Sequence, residues 1–367
     1  MSEGKRIIYA ASVISHINRF HRDYINALRR DGYEVFVMAR GEGADFDIPF
    51  EKKILSGKNR ECRRRIRQIV RELKPDAIIL NTSLAAFHIR LALRGRRRPR
   101  IVNIVHGYLF SESTPLLKRI PYLIAELVLA RRTDVIITMN SSDLKAAEKY
   151  RLARESVLFC RGMGAAVREI ITPPRVIRAE YFGKGAFVLC FVGELSKRKN
   201  QRFLILAMPS LIKRIPDAVL CLVGDGSERE GLERLSRELS LGDRVLFVGE
   251  RRDACDFMRA SDLYVSSSLS EGLPFNIIEA MGVGRTVLAS RVKGHVDIID
   301  DGVDGFLYEM DNITDFVNKT CQIWQNNPLS GEDIQEKYLK YSKENVLPET
   351  IKIIKESIEI DFCRKNR

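Results

Sequence analysis

Residues 264–290, YVSSSLSEGLPFNIIEAMGVGRTVLAS, decide the fold prediction for this chain because they run strand, loop, helix, strand. Pro274 suits the first position of a helix, where the amide that it lacks would have no partner. Apolar residues then recur at helical spacing until Gly282 interrupts them. The pattern predicts a strand-to-helix turn with Glu271 just before the helix and Glu279 inside it.

This predicted turn suits a phosphate group. The first turn of a helix offers backbone N–H groups and the positive end of a dipole, and both attract a phosphate or diphosphate. Glu271 in the loop and Glu279 two turns later would then hold hydroxyl groups on either side of a diphosphate. A nucleotide sugar has that layout of sugar, diphosphate and ribose. An acidic loop before an ordinary amphipathic helix explains the two carboxylates equally well.

The two glutamates lie within S-x-S-E-G-L-P-x-x-x-x-E-A-M, which resembles the donor-site motif of retaining glycosyltransferases of family 4. The resemblance covers nearly all of residues 5–325. It implies the two-domain GT-B fold, retention of anomeric configuration and no required metal. Further segments look like the bacterial exopolysaccharide and capsule branch of that family, at residues 106–140, 191–201, 221–235 and 248–268.

An alternation of strands and helices runs twice along the chain, which predicts an α/β protein of two doubly wound, Rossmann-like domains facing a cleft. We expect an N-terminal acceptor- and membrane-facing domain at 1–168, a linker at 169–185, a C-terminal nucleotide-sugar-binding domain at 186–345 and a C-terminal helix at 346–367 that packs back on the first domain. Strands are expected at 5–13, 33–39, 76–81, 101–105, 134–139 and 156–160, and again near 186–192, 218–223, 244–248, 262–266 and 286–289.

Charge is unevenly distributed along the 367 residues, whose net charge is +13. Residues 1–170 hold 33 Lys and Arg against 18 Asp and Glu. A one-sided basic balance predicts an anionic partner, either nucleic acid or a membrane surface. Docking on anionic bilayers is expected through Arg60, Arg63, Arg64, Arg94, Arg96, Arg97, Arg98 and Arg100, together with an apolar face around Leu116, Leu117, Ile120 and Leu123.

Cysteine usage and hydropathy predict a cytoplasmic protein that is peripheral at the inner face of the cell membrane. The seven cysteines include no C-x-x-C pair, so neither a disulfide framework nor a thiolate zinc site is expected. The opening residues have too short an apolar run for a signal peptide. The longest apolar span, 120–130, contains Glu126 and is shorter than the roughly 20 residues that cross a bilayer. Asp45-Phe46-Asp47 has no strand context and is interpreted as an acidic loop, so no metal site is expected.

Two histidines are candidate functional residues in the first half. The strand at 101–105 delivers His106 at its carboxyl end, which faces the ligand crevice in an open parallel sheet. The resemblance implies that His106 approaches the donor sugar. His16 and His21 flank the first strand-to-helix turn. We expect His21 on the helix, and His16 is the acceptor-side candidate.

A second group of candidates follows the strand at 186–192. Three adjacent cations, Lys197, Arg198 and Lys199, stand at the mouth of a helix and suit a diphosphate, although a solvated basic turn has the same composition. The family has an arginine where this chain has Glu194, so Arg198 or Lys197 is expected to compensate. The resemblance implies catalytic roles for His106, Lys199 and Glu271 and a donor site of Gly193, Arg198, Lys199, Arg251, Glu271, Gly272, Leu273, Phe275, Asn276 and Glu279.

These patterns favour a hexosyltransferase-type enzyme that moves a sugar from a nucleotide-diphosphate donor, a UDP-sugar, to a lipid-diphosphate-linked glycan in bacterial surface polysaccharide synthesis. The expected partners are the donor, the lipid-linked acceptor and an anionic membrane, without nucleic acid or a cofactor. A nucleotide-sugar epimerase of the same fold would turn over the donor without an acceptor. A nucleic-acid-binding protein would account for the arginines but not for the pair Glu271 and Glu279.

Overall fold

The computed structural model describes residues 4–359, apart from 52, 54, 55, 94, 96, 97, 111–113, 168, 327, 328 and 330. The chain divides into two compact units. Unit 1 comprises residues 1–163 and 344–367, and unit 2 comprises residues 164–343. Each unit has its own parallel sheet and its own helices.

The central strands of unit 1, such as β4 and β6, are buried apolar runs, as expected for a parallel sheet covered on both faces. The strands of this unit are β1 (Arg6–Val13), β2 (Glu34–Arg40), β3 (Phe46–Asp47), β4 (Ala77–Leu80), β5 (Arg100–Val105), β6 (Val135–Thr138) and β7 (Ser156–Phe159). The order across the sheet is β3-β2-β1-β4-β5-β6-β7. The helices are α1 (Ile14–Phe20), α2 (Arg22–Arg30), α3 (Gly57–Leu73), α4 (Ser83–Ala92), α5 (Leu116–Ala130) and α6 (Ser141–Lys149).

Unit 2 repeats this architecture. Its helices are α7 (Pro174–Ile177), α8 (Gln201–Ile212), α9 (Arg229–Glu238), α10 (Ala254–Ala260), α11 (Phe275–Gly282), α12 (Ile313–Asn326) and α13 (Gly331–Tyr341). Helix α7 continues into a π-helical turn (Arg178–Phe182), and a 3-10 turn spans Gly242–Arg244. The strands are β8 (Phe187–Val192), β9 (Ala218–Val223), β10 (Val245–Gly249), β11 (Leu263–Ser266), β12 (Val287–Ser290) and β13 (Phe306–Tyr308). The order across the sheet is β10-β9-β8-β11-β12-β13.

Both sheets reverse their strand order beside the first strand of the unit. In unit 1, β1 lies between β2 and β4, and in unit 2, β8 lies between β9 and β11. Ligands of open α/β sheets bind outside the carboxyl ends of the strands at such a switch point. The loops that leave β1 and β8 therefore lead to the two places where ligand-binding side chains are expected.

Two short strands escape the sequence prediction. The interpretation of Asp45-Phe46-Asp47 as a loop without strand context is wrong, because β3 pairs with β2. The Asp45 carboxylate accepts a 2.6 Å hydrogen bond from the Val37 amide, and Asp47 accepts one of 3.0 Å from the Gly41 amide. Both carboxylates thus hold the edge of the sheet. β13 is three residues long, so neither strand is long enough to show an alternating pattern.

The first helix is also different from the expectation. A single helix is predicted after β1, whereas the structure breaks it at His21, whose φ of −124° is not helical. His21 therefore lies between α1 and α2 and not on a helix. Its side chain is fully buried, and its imidazole lies beside that of His16.

The residues predicted as a linker belong to unit 2 and contain α7 and the π-helical turn. Arg178 in that turn forms an ion pair with Asp262 at 3.2 Å, and the Asp256 carboxylate accepts hydrogen bonds from the Ile171 and Thr172 amides. These contacts attach the segment to α10, which contains Asp256, and to the start of β11, which directly follows Asp262.

The C-terminal helix α14 (Lys343–Glu359) packs on unit 1. Arg161 forms an ion pair with Glu349 at 2.9 Å, and Lys355 forms one with Asp31 at 3.0 Å. Ile354 is fully buried on the inner face of this helix. The last helix is thus part of the first sheet's covering layer, although it follows unit 2 in the chain.

Candidate active site

Glu271 is the buried centre of an ion cluster at the carboxyl edge of the second sheet, in which the Arg198 side chain is half-exposed. Its carboxylate lies 2.7 Å from the Lys199 ammonium and 2.6 Å from the Arg198 guanidinium, and it accepts a 2.7 Å hydrogen bond from the Ser268 hydroxyl. The Glu271 side chain is 8% exposed, and that of Lys199 is 11% exposed. The structure therefore brings together three of the predicted donor-site residues, Arg198, Lys199 and Glu271.

The two loops that carry this cluster are joined by their backbones. The Leu269 amide donates to the Arg198 carbonyl at 2.8 Å, and the Ser267 hydroxyl donates to the Lys199 carbonyl at 3.0 Å. Asn200 adopts a left-handed conformation, which turns the chain from the first loop into α8. The cations are thus held in position by strand-end loops on neighbouring strands, β8 and β11.

The surroundings keep Glu271 ionised. Burial by itself would raise the pKa of this carboxyl, but the nearby charges of Lys199 and Arg198 outweigh burial and bring the pKa to about 2. The cluster accordingly contains two cations and one anion near neutral pH. Its net charge is positive, which suits an anionic ligand.

The sequence prediction did not include His295 and Gly294, which lie next to the ion cluster. Buried His295 accepts a 3.1 Å hydrogen bond from the Ser266 hydroxyl at Nε2 and donates from Nδ1 to the Ser290 carbonyl at 2.7 Å. Burial is the main cause that lowers the pKa of His295 to about 4, so the ring is neutral. It joins the ends of β11 and β12 directly behind the ion cluster. Ser268 lies in the motif quoted above, three residues before Glu271. Nothing in that motif predicts the hydrogen bond from the Ser268 hydroxyl to the Glu271 carboxylate.

Glycines bring the strand ends of unit 2 close together. Gly224 has φ of +140°, and a Cβ atom there would lie 2.0 Å from the Gly193 carbonyl oxygen. The Gly193 amide donates to Val223 at 2.9 Å, and the Gly224 amide donates to Gly249 at 2.8 Å. The ends of β8, β9 and β10 therefore form one hydrogen-bonded rim that requires glycine at position 224.

Helix α11 carries the second glutamate of the motif. It begins at Phe275 with Pro274 as a cap that offers no side-chain hydrogen bond, and half-buried Glu279 lies in its second turn. The Asn276 side chain donates to the Val192 carbonyl at 2.9 Å, which ties the helix to β8. Burial raises the pKa of Tyr264, and the charges of Glu279 and Glu271 add to that increase. Both carboxylates are thus close enough to this buried tyrosine to influence its pKa.

The remaining donor-site candidates have diverse surroundings. Arg251 donates to both carboxylate oxygens of Asp253, at 2.8 and 2.9 Å, and these bonds lower the pKa of Asp253 to about 2. Leu273 is 7% exposed and apolar, so its side chain serves packing, whereas Gly272 is half-buried. Glu194, which replaces the family arginine, is exposed.

In unit 1, His106 and His16 lie together. Their ring centroids are 5.0 Å apart, and the His21 ring lies 5.1 Å from each of them. A cavity of about 210 Å³ borders His16 and His106 and is also lined by Arg90 and Glu126, which form an ion pair. The carboxyl end of the first sheet thus has a small polar cavity beside a group of imidazoles.

The predicted basic membrane patch is only partly supported. Arg94, Arg96 and Arg97 lie outside the described residues, and Arg60 and Arg64 are exposed. Arg98 is wrong as a member of the patch, because its side chain is 8% exposed and donates two hydrogen bonds to Asp134. Arg100 is likewise paired with Glu155, and Leu123 is only half-exposed against the hydrophobic core.

The apolar surface of α5 is more extensive than predicted. No helix in the described part of the chain has the length and hydropathy needed to span a bilayer. Seven apolar side chains of α5 are nevertheless more than 40% exposed, namely Leu116, Leu117, Ile120, Tyr122, Ile124, Leu127 and Val128.

Comparison with known proteins gives consistent matches over both units. Residues 175–345 match the family described as "Glycosyl transferases group 1", and residues 17–161 match "Glycosyltransferase Family 4". EpsD of Bacillus subtilis is 26% identical over 99% of each chain. The UDP-Gal:alpha-D-GlcNAc-diphosphoundecaprenol alpha-1,3-galactosyltransferase of Escherichia coli is 26% identical over 72% of this chain and 70% of its own.

A solved structure supports the same fold. The crystal structure of Anabaena Alr3699/HepE in complex with UDP has a TM-score of 0.76 and 20% identity, and the alignment covers 96% of this chain and all of the other. The matched families extend through both sheets described above. This chain belongs to glycosyltransferase family 4, has the GT-B fold and is an enzyme of the hexosyltransferase type.

Proposed function

We propose that this enzyme transfers a hexose from a UDP-sugar, with retention of the anomeric configuration, to a lipid-diphosphate-linked glycan in the synthesis of a bacterial surface polysaccharide. The cluster of Glu271, Lys199 and Arg198 carries the proposal. Two cations share one carboxylate there, at the sheet edge where parallel sheets bind ligands. A departing diphosphate gains negative charge during transfer, and this fixed positive charge would stabilise it.

Each residue of the site has a proposed task. Lys199, Arg198 and the N-terminal end of α11 at Phe275 bind the diphosphate. Glu279 binds the ribose hydroxyls, and Glu271 with the backbone around Gly272 binds the sugar. The leaving diphosphate accepts the proton of the acceptor hydroxyl on the same face, so the transfer needs neither a protein base nor a metal at the donor site.

The relatives support the classes of donor and acceptor. HepE was solved with UDP, and the name of the E. coli relative specifies a UDP-galactose donor and a diphosphoundecaprenol-linked acceptor. In the present protein, the loop of Arg251 is proposed to receive the base. His106 is proposed to approach the donor sugar, and His16 is proposed to lie on the acceptor side.

Binding at the inner face of the cell membrane is part of the proposal. The exposed apolar residues of α5 suit a helix that lies in the headgroup region, since 15 residues span only about 22 Å. Exposed Lys118 and Arg131 at its two ends match anionic lipid headgroups. An enzyme placed there would meet a lipid-linked acceptor at the surface that presents it.

The test is a transfer assay with the purified full chain, a panel of UDP-hexoses and a polyprenyl-diphosphate-linked sugar in detergent. We expect UDP release that requires the acceptor, and a product with the anomeric configuration of the donor in its NMR spectrum. Lys199→Ala should lower kcat about 100-fold or more. Lys213→Ala, which alters an exposed lysine beyond the other end of α8, should leave kcat unchanged. Isomerisation of the UDP-sugar without an acceptor would instead identify an epimerase.

A further inference from the structure

Three of the five histidines of the chain converge in unit 1. His16 lies on α1, His21 lies between α1 and α2, and His106 directly follows β5. One ring nitrogen from each histidine lies within 4.8 Å of those of the other two. Among the described residues, this is the only group of three or more histidine, cysteine or acidic side chains with the spacing of a metal site.

One measured separation equals that of two ligands around a tetrahedral metal ion. The Nε2 atoms of His16 and His21 are 3.3 Å apart. Two imidazole nitrogens bound to one Zn²⁺ at about 2.0–2.1 Å with tetrahedral angles are about 3.3–3.4 Å apart. Nε2 of His106 is buried and has no hydrogen-bond partner among the described residues. A buried ring nitrogen without a partner is costly unless a ligand satisfies it.

The group consists of three imidazoles, and a neutral imidazole has the free lone pair that a metal ligand requires. No carboxylate belongs to the group, so its chemistry favours Zn²⁺ and related transition metals over Mg²⁺ or Ca²⁺.

A buried tyrosine supports one of the ligands from behind. The Tyr9 hydroxyl lies 3.0 Å from Nδ1 of His21, and Tyr9 is completely buried. Metal-bound histidines usually donate a hydrogen bond from the ring nitrogen that does not bind the metal. Donation from Nδ1 of His21 to Tyr9 would leave its Nε2 lone pair directed at His16 and the metal.

We propose that His16, His21 and His106 bind a divalent transition metal of the Zn²⁺ class through their Nε2 atoms. Three neutral ligands leave the ion with its full positive charge and with an open fourth position, which water or a ligand oxygen would fill. The cavity that borders His16 and His106 provides room for that fourth ligand. This site goes beyond the proposed transfer, because the donor cluster of unit 2 does not depend on it. A metal bound to His106 would compete with the contact between this ring and the donor sugar that the resemblance implies.

Metal binding is tested directly and without substrate. The full chain is stripped with a chelator, and Zn²⁺ or Co²⁺ is added back. We expect one metal per chain by elemental analysis, and the intense visible bands of tetrahedral Co²⁺ in the absorption spectrum. His16→Gln and His106→Gln should each weaken binding at least 100-fold. His88→Gln, which alters a buried histidine of the same unit outside the group, should bind like the parent.

A second variant distinguishes a metal site from a group of histidines that only stabilises the fold. Tyr9→Phe removes only the hydroxyl behind His21, and loss of such an outer partner typically lowers metal affinity about 10-fold to 100-fold. Circular dichroism without metal confirms that each variant is folded. Absence of stoichiometric binding by the parent, or equal binding by the parent and His16→Gln, would overturn the proposal. Because no sugar donor is used, failure of the transfer reaction would not affect this result.

Discussion

Gly294 lies against Glu271 so closely that a Cβ atom on Gly294 would be 2.7 Å from the Glu271 Cβ and 2.8 Å from its carbonyl oxygen. The Glu271 amide also donates to the carbonyl of Lys293, the residue before Gly294. The loop after β12 therefore forms the wall against which the central carboxylate of the site is held.

The substitution Gly294→Ala should displace Glu271. It combines a left-handed φ of +87° with a backbone clash, whereas Gly302 has a similar φ of +81° and no atom within 4 Å of an added Cβ. Gly302→Ala thus measures the cost of the left-handed backbone alone, about 1 kcal/mol. We expect Gly294→Ala to cost roughly 1–3 kcal/mol more in thermal unfolding and to weaken UDP binding in calorimetry. Equal melting temperatures for the two variants would contradict the close contact.

The free energy of unfolding should decrease at low pH because of the ion cluster around Glu271. The folded-state pKa of Glu271, about 2, is lower than the ordinary value of 4.5, so its ionised form stabilises the folded state above pH 4.5. This contribution, about 2–4 kcal/mol, should be lost as the pH falls from about 5 to 2. Glu271→Gln should be less stable at pH 7 and show a smaller decrease over that range. Parallel unfolding curves of parent and variant from pH 7 to 2 would disprove the assignment.

Glu279 is expected to bind the donor. Losing charge-assisted hydrogen bonds to a ribose should cost about 1.5–3 kcal/mol, which corresponds to about 10-fold to 150-fold in affinity. Glu279→Ala should therefore raise the Kd for UDP by that factor. Glu238→Ala, which alters an exposed residue of α9, is the control and should bind UDP normally. Unchanged calorimetric affinity in Glu279→Ala would remove Glu279 from the site.

Arg98 should stabilise the fold and contribute nothing to membrane binding. Its ion pair with Asp134 is buried on both sides, and removing Arg98 leaves Asp134 with half-exposed Arg154 and the Ile101 amide. Arg98→Gln should lower the free energy of unfolding by about 2–4 kcal/mol. Arg64→Gln on the exposed face of α3 should change it by less than about 0.5 kcal/mol. A melting temperature of Arg98→Gln that equals that of Arg64→Gln would restore Arg98 to the surface patch.

The apolar face of α5 should decide membrane binding. The substitutions Leu117→Gln and Ile124→Gln together remove apolar area that a bilayer would cover, so we expect at least tenfold weaker co-sedimentation with anionic vesicles. Val303→Gln, which alters an exposed apolar residue of unit 2, is the control. Raising the salt concentration should weaken the parent's binding, because the Debye length decreases. Vesicle binding that is insensitive to the double substitution would exclude α5 as the contact surface.

Local patterns in the sequence predict most of the architecture. Strands such as β1, β5 and β8 are continuous apolar runs between turn residues, and these signals act over only a few positions, so their bounds agree within two residues. The basic run after β8 predicted Lys199 and Arg198 as cations near a helix, and the motif around Glu271 together with further segments carried the resemblance that named the family. β3 and β13 were missed because strands of two and three residues exist only through pairing with a neighbour.

The tertiary structure decides which side chains meet. Arg198 and Glu271 are 73 residues apart, and Arg98 and Asp134 are 36 residues apart, so neither pair has a local signal. The order of the parallel strands places one arginine beside a ligand site and buries the other in an ion pair. The same long-range packing gathers His16, His21 and His106, which sequence alone presents as three separate residues. Sequence determined the elements and the residue types available to the site, whereas strand order and register determined their partners, since contacts between distant residues form only when the sheet is assembled.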